Sequence, residues 1–143
     1  MKKLILSLCL CLSFCLVFTK ATHAEEYYYD ETIEIISTTP VTRATNSITG
    51  KKTASIKNSS GAVLWSVSVT GKFTYTGSKA TCTSSTVNAQ SNNSYWKIKS
   101  KSSSKSGNKA IGTAKADNYF EGKVVLTQTK TVTLNCSATG KLS

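Results

Sequence analysis

Catalysis near neutral pH needs a group that titrates there, a bound metal, or a nucleophile with a base beside it. The 143-residue chain offers few such groups. Its one histidine, His23, falls in a segment read below as a cleaved leader. The rest of the chain therefore lacks the commonest general base and the commonest metal ligand. From Ser37 onward the only carboxylates are Asp117 and Glu121. A paired-carboxylate hydrolase would have to use these two, and such a pair must flank a sugar bond in a cleft. Four positions apart across an expected strand end, they read instead as a turn acid and a surface acid. Either one as the acid of a Lys–Asn isopeptide cross-link is a further reading, with little to select it. Serines are abundant, but there is no Gly-x-Ser-x-Gly elbow, no phosphate-binding glycine loop and no metal-spaced Cys/His set. No spacing singles out a Ser–Lys dyad. The expectation is no catalytic residue, no metal and no cofactor.

Cysteine is the remaining reactive type. Of five cysteines, Cys9, Cys11 and Cys15 lie in the first 24 residues, leaving Cys82 and Cys136. An even count in an exported chain suggests a disulfide rather than two free thiols. Closing so long a loop is worth about 4 kcal/mol in the chain-entropy model.

Export itself is read from the amino terminus. Met1-Lys2-Lys3 is a short positive stretch, and Leu4–Phe18 carries no charge. Thr22 and Ala24 supply the small-x-small pattern of a signal peptidase site, so 1–24 reads as a signal peptide cut after Ala24. A membrane span needs roughly 20 apolar residues, more than this run provides, so no transmembrane span is expected after cleavage. A lipid anchor needs a small residue before a cysteine, whereas Cys9, Cys11 and Cys15 follow Leu8, Leu10 and Phe14. The expected destination is extracellular.

These residues have to be held by a strand framework. From about Thr53 the apolar period is two. Val63, Trp65, Val67, Val69, Gly71, Phe73 and Tyr75 share one parity, while Ser66, Ser68, Thr70, Lys72, Thr74 and Thr76 share the other, as one buried and one wet strand face require. Gly71 suggests a bulge or a strand changing sheets. Further strands are expected over 53–58, 81–90, 95–102, 109–119 and 123–137, with Gln128 and Lys130 marking a bulge or an edge. Six or seven strands with turns every 8–15 residues, and no helical period after the leader, argue for an all-β antiparallel β-sandwich, with a small β-barrel as the alternative. Residues 25–50 are unlike the rest. They start acidic, turn polar and aperiodic, and hold the one proline, Pro40. They read as an acidic tail and flexible linker with one strand near 31–37, ahead of a basic domain over 51–143.

Charge gives the one functional hint. Residues 25–36 hold five of the seven acids, whereas from Ser37 onward fifteen Lys and Arg face two acids. A basic domain attracts polyanions, and salt weakens the attraction. The densest group is Lys97, Lys99, Lys101, Lys105 and Lys109, around Tyr95-Trp96. As a plain wet strand face, such lysines blunt an edge and keep the sheet soluble. As a ridge, they would bind an anionic cell-wall polymer or another anionic surface. Nearly all this charge is Lys, whereas bidentate recognition of bases and phosphates prefers Arg, so specific nucleic-acid binding is not expected. The acidic tail is also placed to fold back on the basic domain.

The segments Ala54–Gly61, Phe73–Gly77, Thr81-Cys82, Trp96-Lys97, Lys105–Ala110 and Thr133–Cys136 resemble a group of short exported proteins of Gram-positive, gut-type bacteria, over about residues 50–143. The resemblance implies export and a disulfide-bonded β domain, and it assigns no functional residue. The order Cys82…Trp96…Cys136 is also similar to immunoglobulin-type sandwiches, whose core Trp packs on an inter-sheet disulfide. Leu134, however, occupies the place of the tyrosine-corner Tyr. The resulting expectation is a secreted, non-enzymatic binding or structural protein at the cell envelope. The alternative is a secreted cationic antibacterial or toxin-like effector.

Overall fold

Alternation of apolar and hydroxyl-bearing residues builds almost the whole chain into strands. The structure, a computed structural model, describes residues 26–40 and 44–143. The expected leader lies outside the described residues. Seven strands follow in order: β1 (Tyr28–Pro40), β2 (Asn46–Lys57), β3 (Val63–Tyr75), β4 (Ala80–Ser91), β5 (Trp96–Ser106), β6 (Lys109–Phe120) and β7 (Lys123–Asn135). They form two antiparallel sheets, β1-β2-β3-β4 and β5-β6-β7. Neither closes on itself, so the barrel alternative does not form. Chain neighbours are sheet neighbours except for β4 and β5, whose loop makes the one passage between sheets.

The two sheets share one core. β3 supplies Trp65, Val67, Val69 and Phe73, all fully buried. β6 answers with the small residues Ala110, Ala114 and Ala116, also buried, with Gly112 between them. Large on small lets the layers approach closely. A Cβ at Gly112 would lie 2.9 Å from Val87 Cγ2 and 3.0 Å from Val69 Cβ, tighter than side chains tolerate in a close-packed interior. Val132 and Leu134 of β7 complete this layer.

Two expectations are corrected here, and a third is met in one of its alternatives. The segment read as a flexible linker with one strand near 31–37 forms a longer strand, β1, and the start of β2, paired from Tyr28↔Lys57 to Pro40↔Asn46 with a register shift between Ile35 and Ser37. Every residue of β1 is exposed. Backbone pairing and a few side-chain contacts hold it, and neither leaves a hydropathy pattern. Gly71 is neither a bulge nor a sheet change. It pairs regularly with Gly50 and Ser85, because a Cβ there would sit 2.6 Å from the Phe73 ring and 2.7 Å from Ala110 Cβ. The bulge lies beside it on β4, where Lys72 pairs with Ser84 and Phe73 with Cys82. β7 is an edge strand of its sheet, one of the two alternatives expected from Gln128 and Lys130, whereas its bulge falls between Val124 and Leu126 rather than at Gln128. Gln128 faces inward, and its Oε1 accepts a hydrogen bond from Trp65 Nε1 at 3.2 Å.

Candidate anion-binding face

The five lysines singled out by sequence all sit on the β5–β6 hairpin, and all are exposed. β5 is an edge strand. Its turn into β6 is tight, with Gly107 at φ 56, a conformation that glycine adopts without steric cost. A bulge at Lys99 separates the pair Ile98↔Ala116 from Ser100↔Lys115. One extra residue reverses which side chains face out.

That reversal splits the lysines. Lys97 is opposite Asp117 on the outer face, and Lys99 reaches the same carboxylate at 3.3 Å. Beyond the bulge the outer row of β5 is Ser100, Ser102, Ser104 and Ser106, opposite Lys115, Thr113, Ile111 and Lys109 of β6. Those β6 residues pair in turn with Thr129, Thr131, Thr133 and Asn135 of β7. The result is a sheet face of hydroxyls studded with lysines, with neighbouring strands about 4.8 Å apart. Thr113 and Thr131 hydroxyls bond to each other across it at 2.9 Å. Lys101 and Lys105 take the other parity, opposite Ala114 and Ala110, and run along the flank beside β4. Lys105 Nζ donates to the Thr83 carbonyl at 2.7 Å, and Ser103 Oγ to the Ser85 carbonyl at 3.2 Å. The structure therefore brings Lys97, Lys99 and Lys109 to one face and turns Lys101 and Lys105 to its edge. It adds Lys115, which sequence reasoning missed because only the strand register places it.

One acid lies within this face. Asp117 is only 4 % exposed. Thr127 Oγ1 donates to its Oδ1 at 2.5 Å, and with Lys99 this holds its carboxyl below the ordinary range, against the opposing effect of burial. Lys97 sits 4.9 Å from the centre of the Tyr119 ring. Glu121 lies apart in the β6–β7 turn, at φ 48. Among the described residues no group of three or more His, Cys, Asp or Glu is placed to hold a metal ion, and no helix is long and apolar enough to cross a membrane.

Cys82 and Cys136 converge on the far end of the same hairpin. Cys82 N–H donates to the Gly107 carbonyl at 2.7 Å and Cys136 N–H to the Asn108 carbonyl at 3.0 Å. Both are buried free thiols, so the expected disulfide is not formed in this structure. Each sulfur donates instead to a nearby carbonyl, Ser84 at 3.3 Å and Ser137 at 3.4 Å. Burial pushes both thiols up, and at Cys136 a charge on Cys82 adds to the effect. The immunoglobulin-like packing of Trp96 on this pair does not occur. Trp96 begins β5 opposite Asn118, whereas the cysteines lie at its other end, and Trp96 stacks on Trp65 at 6.3 Å.

No family model, no curated protein and no solved structure matches this chain.

Proposed function

We propose that this is an exported, non-enzymatic β-sandwich protein of the cell envelope that binds anionic polymers through the outer face of the β5-β6-β7 sheet. The observation that carries the reading is the placement of Lys97, Lys99, Lys109 and Lys115 along one hydroxyl-rich face whose one carboxylate, Asp117, is covered and already paired. Lysine ammoniums attract polyanions without a fixed geometry, and the Ser and Thr hydroxyls offer hydrogen bonds to phosphate or sugar oxygens. The charged leader-like amino terminus supports export. In an oxidising exterior the Cys82 and Cys136 thiols, brought to one turn, are the natural pair for a stabilising disulfide.

The test is co-sedimentation of the mature chain with Gram-positive cell walls, with walls stripped of their anionic polymers, and with anionic lipid vesicles, across a salt series. Binding to intact walls that falls with salt and is lost in Lys99→Glu/Lys115→Glu supports the reading. Salt-independent or absent wall binding rejects it, and leakage of the vesicles favours a membrane-active effector instead.

A further inference from the structure

The end of the molecule opposite the cysteines holds a second site that this charge does not explain. There the β2–β3 turn, the β4–β5 loop and the β6–β7 turn converge around an open cavity of about 520 Å³, within the range of small-ligand pockets. Its rim carries Tyr95 and Phe120, each 62 % exposed, an unusual exposure for rings of this size. Trp96, itself buried, is part of its lining. The loops are tied together, since Tyr119 N–H donates to the Tyr95 carbonyl at 2.8 Å and Asn92 N–H to the Leu64 carbonyl at 2.9 Å.

Three amides complete the lining: Asn58, Asn93 and Asn118. Two of them are fixed by their oxygens. Asn58 Oδ1 accepts from Ala62 N–H at 2.9 Å and Ser60 Oγ at 2.7 Å, and Asn93 Oδ1 accepts from Tyr95 N–H at 2.8 Å. Their Nδ2 groups are left as donors. Asn118 makes no side-chain hydrogen bond among the described residues. No charged side chain lines the cavity.

We infer that this cavity binds one ring of an uncharged saccharide. Rigid aromatic faces pack against the C–H faces of a pyranose, and oriented amides meet its hydroxyl or acetamido groups. The lining offers an ionic ligand no charged partner, which favours an uncharged occupant. A hydrocarbon ligand would leave three amides facing it without hydrogen bonds, at a cost in affinity. The cavity meets the anion-binding face only where Lys97 lies over the Tyr119 ring; none of that face's lysines is in its lining, so binding there is expected to be insensitive to salt.

The experiment titrates the mature chain with chitotriose, which carries acetamido groups, and with cellotriose, which carries hydroxyls alone. Tryptophan fluorescence and the indole N–H resonance of Trp96 are the readouts. Saturable binding of at least one sugar is expected, unchanged by salt and by Lys99→Glu/Lys115→Glu. Phe120→Ala and Asn118→Ala should each weaken it about tenfold, the scale of one lost stacking or hydrogen-bonding contact. Both variants are checked for a native near-ultraviolet spectrum. No response to either sugar overturns the inference, as does a response that survives both substitutions unchanged.

Discussion

Lys130 of β7 joins the two sheets by reaching Glu31 of β1, with its ammonium 3.3 Å from the carboxylate and 4.2 Å from the centre of the Tyr29 ring. Lys52 of β2 approaches the same carboxylate at 3.2 Å. The acidic amino-terminal segment thus lies against the basic layers as a strand, with one carboxylate shared by two lysines. β1 is otherwise exposed along its length, including Ile33 at 44 % and Ile35 at 61 %. A long apolar edge of this kind is prone to pairing with other chains, so its acids also help to keep it apart from its like.

The first prediction concerns the pH range over which β1 stays docked. Hydrogen bonding from Lys52, then from Lys130, holds Glu31 below the ordinary carboxylate value, against burial. A carboxyl lowered in the folded state stabilises that state above its unfolded value, near 4.3, and loses the contribution as pH falls through the lowered value. Hydrogen exchange, corrected for intrinsic rates, should show β1 amides equally protected from neutrality to about pH 5 and progressively less protected in stronger acid. Glu31→Gln should remove that acid limb and lower protection at neutral pH. The effect is modest and salt-sensitive, as for half-exposed pairs generally. Identical acid limbs in both proteins would show that Glu31 does not anchor the strand.

Strands whose faces differ in burial were legible in the sequence. In β3 the parity of Trp65, Val67, Val69 and Phe73 is the parity of the core. β1 was not legible as a strand beyond its middle, because neither of its faces is buried, and alternation reports burial rather than hydrogen bonding. The lysines were legible as a group but not as a face. The bulge at Lys99 reverses parity in mid-strand, and it takes a partner strand to define it. Lys115 belongs to the face only through its register with Ser100. Asp117 read as an exposed acid because its Thr127 and Lys99 partners come from two other strands.

The second prediction follows from Gln128, a polar residue at an inward position. It serves the indole N–H of Trp65, a side chain with no exposed surface. Gln128→Leu keeps the volume and removes the acceptor, so a buried donor is orphaned at a cost of about 1–3 kcal/mol. Urea unfolding should show a lower midpoint with unchanged slope. An equal or higher midpoint would mean that the indole finds water there, and that the amide is dispensable.

The third prediction uses the closest approach of the sheets. Gly112→Ala places a methyl 2.9 Å from Val87 Cγ2 and 3.0 Å from Val69 Cβ. Overpacking at a site flanked on both sides costs about 1–3 kcal/mol. Thr129→Ala, on the exposed outer face of β7, should stay within about 0.5 kcal/mol of the parent. Equal stability of Gly112→Ala and the parent would show that the layers can separate, and would remove the packing reason for a glycine in mid-strand.

The fourth prediction concerns Cys82 and Cys136. Oxidation joins the two sulfurs with release of two protons, and the two electrons reduce an external disulfide such as oxidised glutathione to two thiols. The attacking species is a thiolate. Burial raises both thiols, so closure in the folded state should be slow at neutral pH and accelerate above the usual thiol value near 8.5. If the chain is exported as proposed, closure before folding is complete avoids that barrier. The chain recovered from culture medium should therefore have lost two hydrogens by mass and show no titratable thiol. Reduction should lower its melting temperature by roughly 10 °C or more, given about 4 kcal/mol for a loop of this length. Cys82→Ser should melt like the reduced parent whether or not reductant is present. Two reactive thiols in the exported chain, with melting unaffected by reductant, would show that the pair serves the core as small apolar side chains alone.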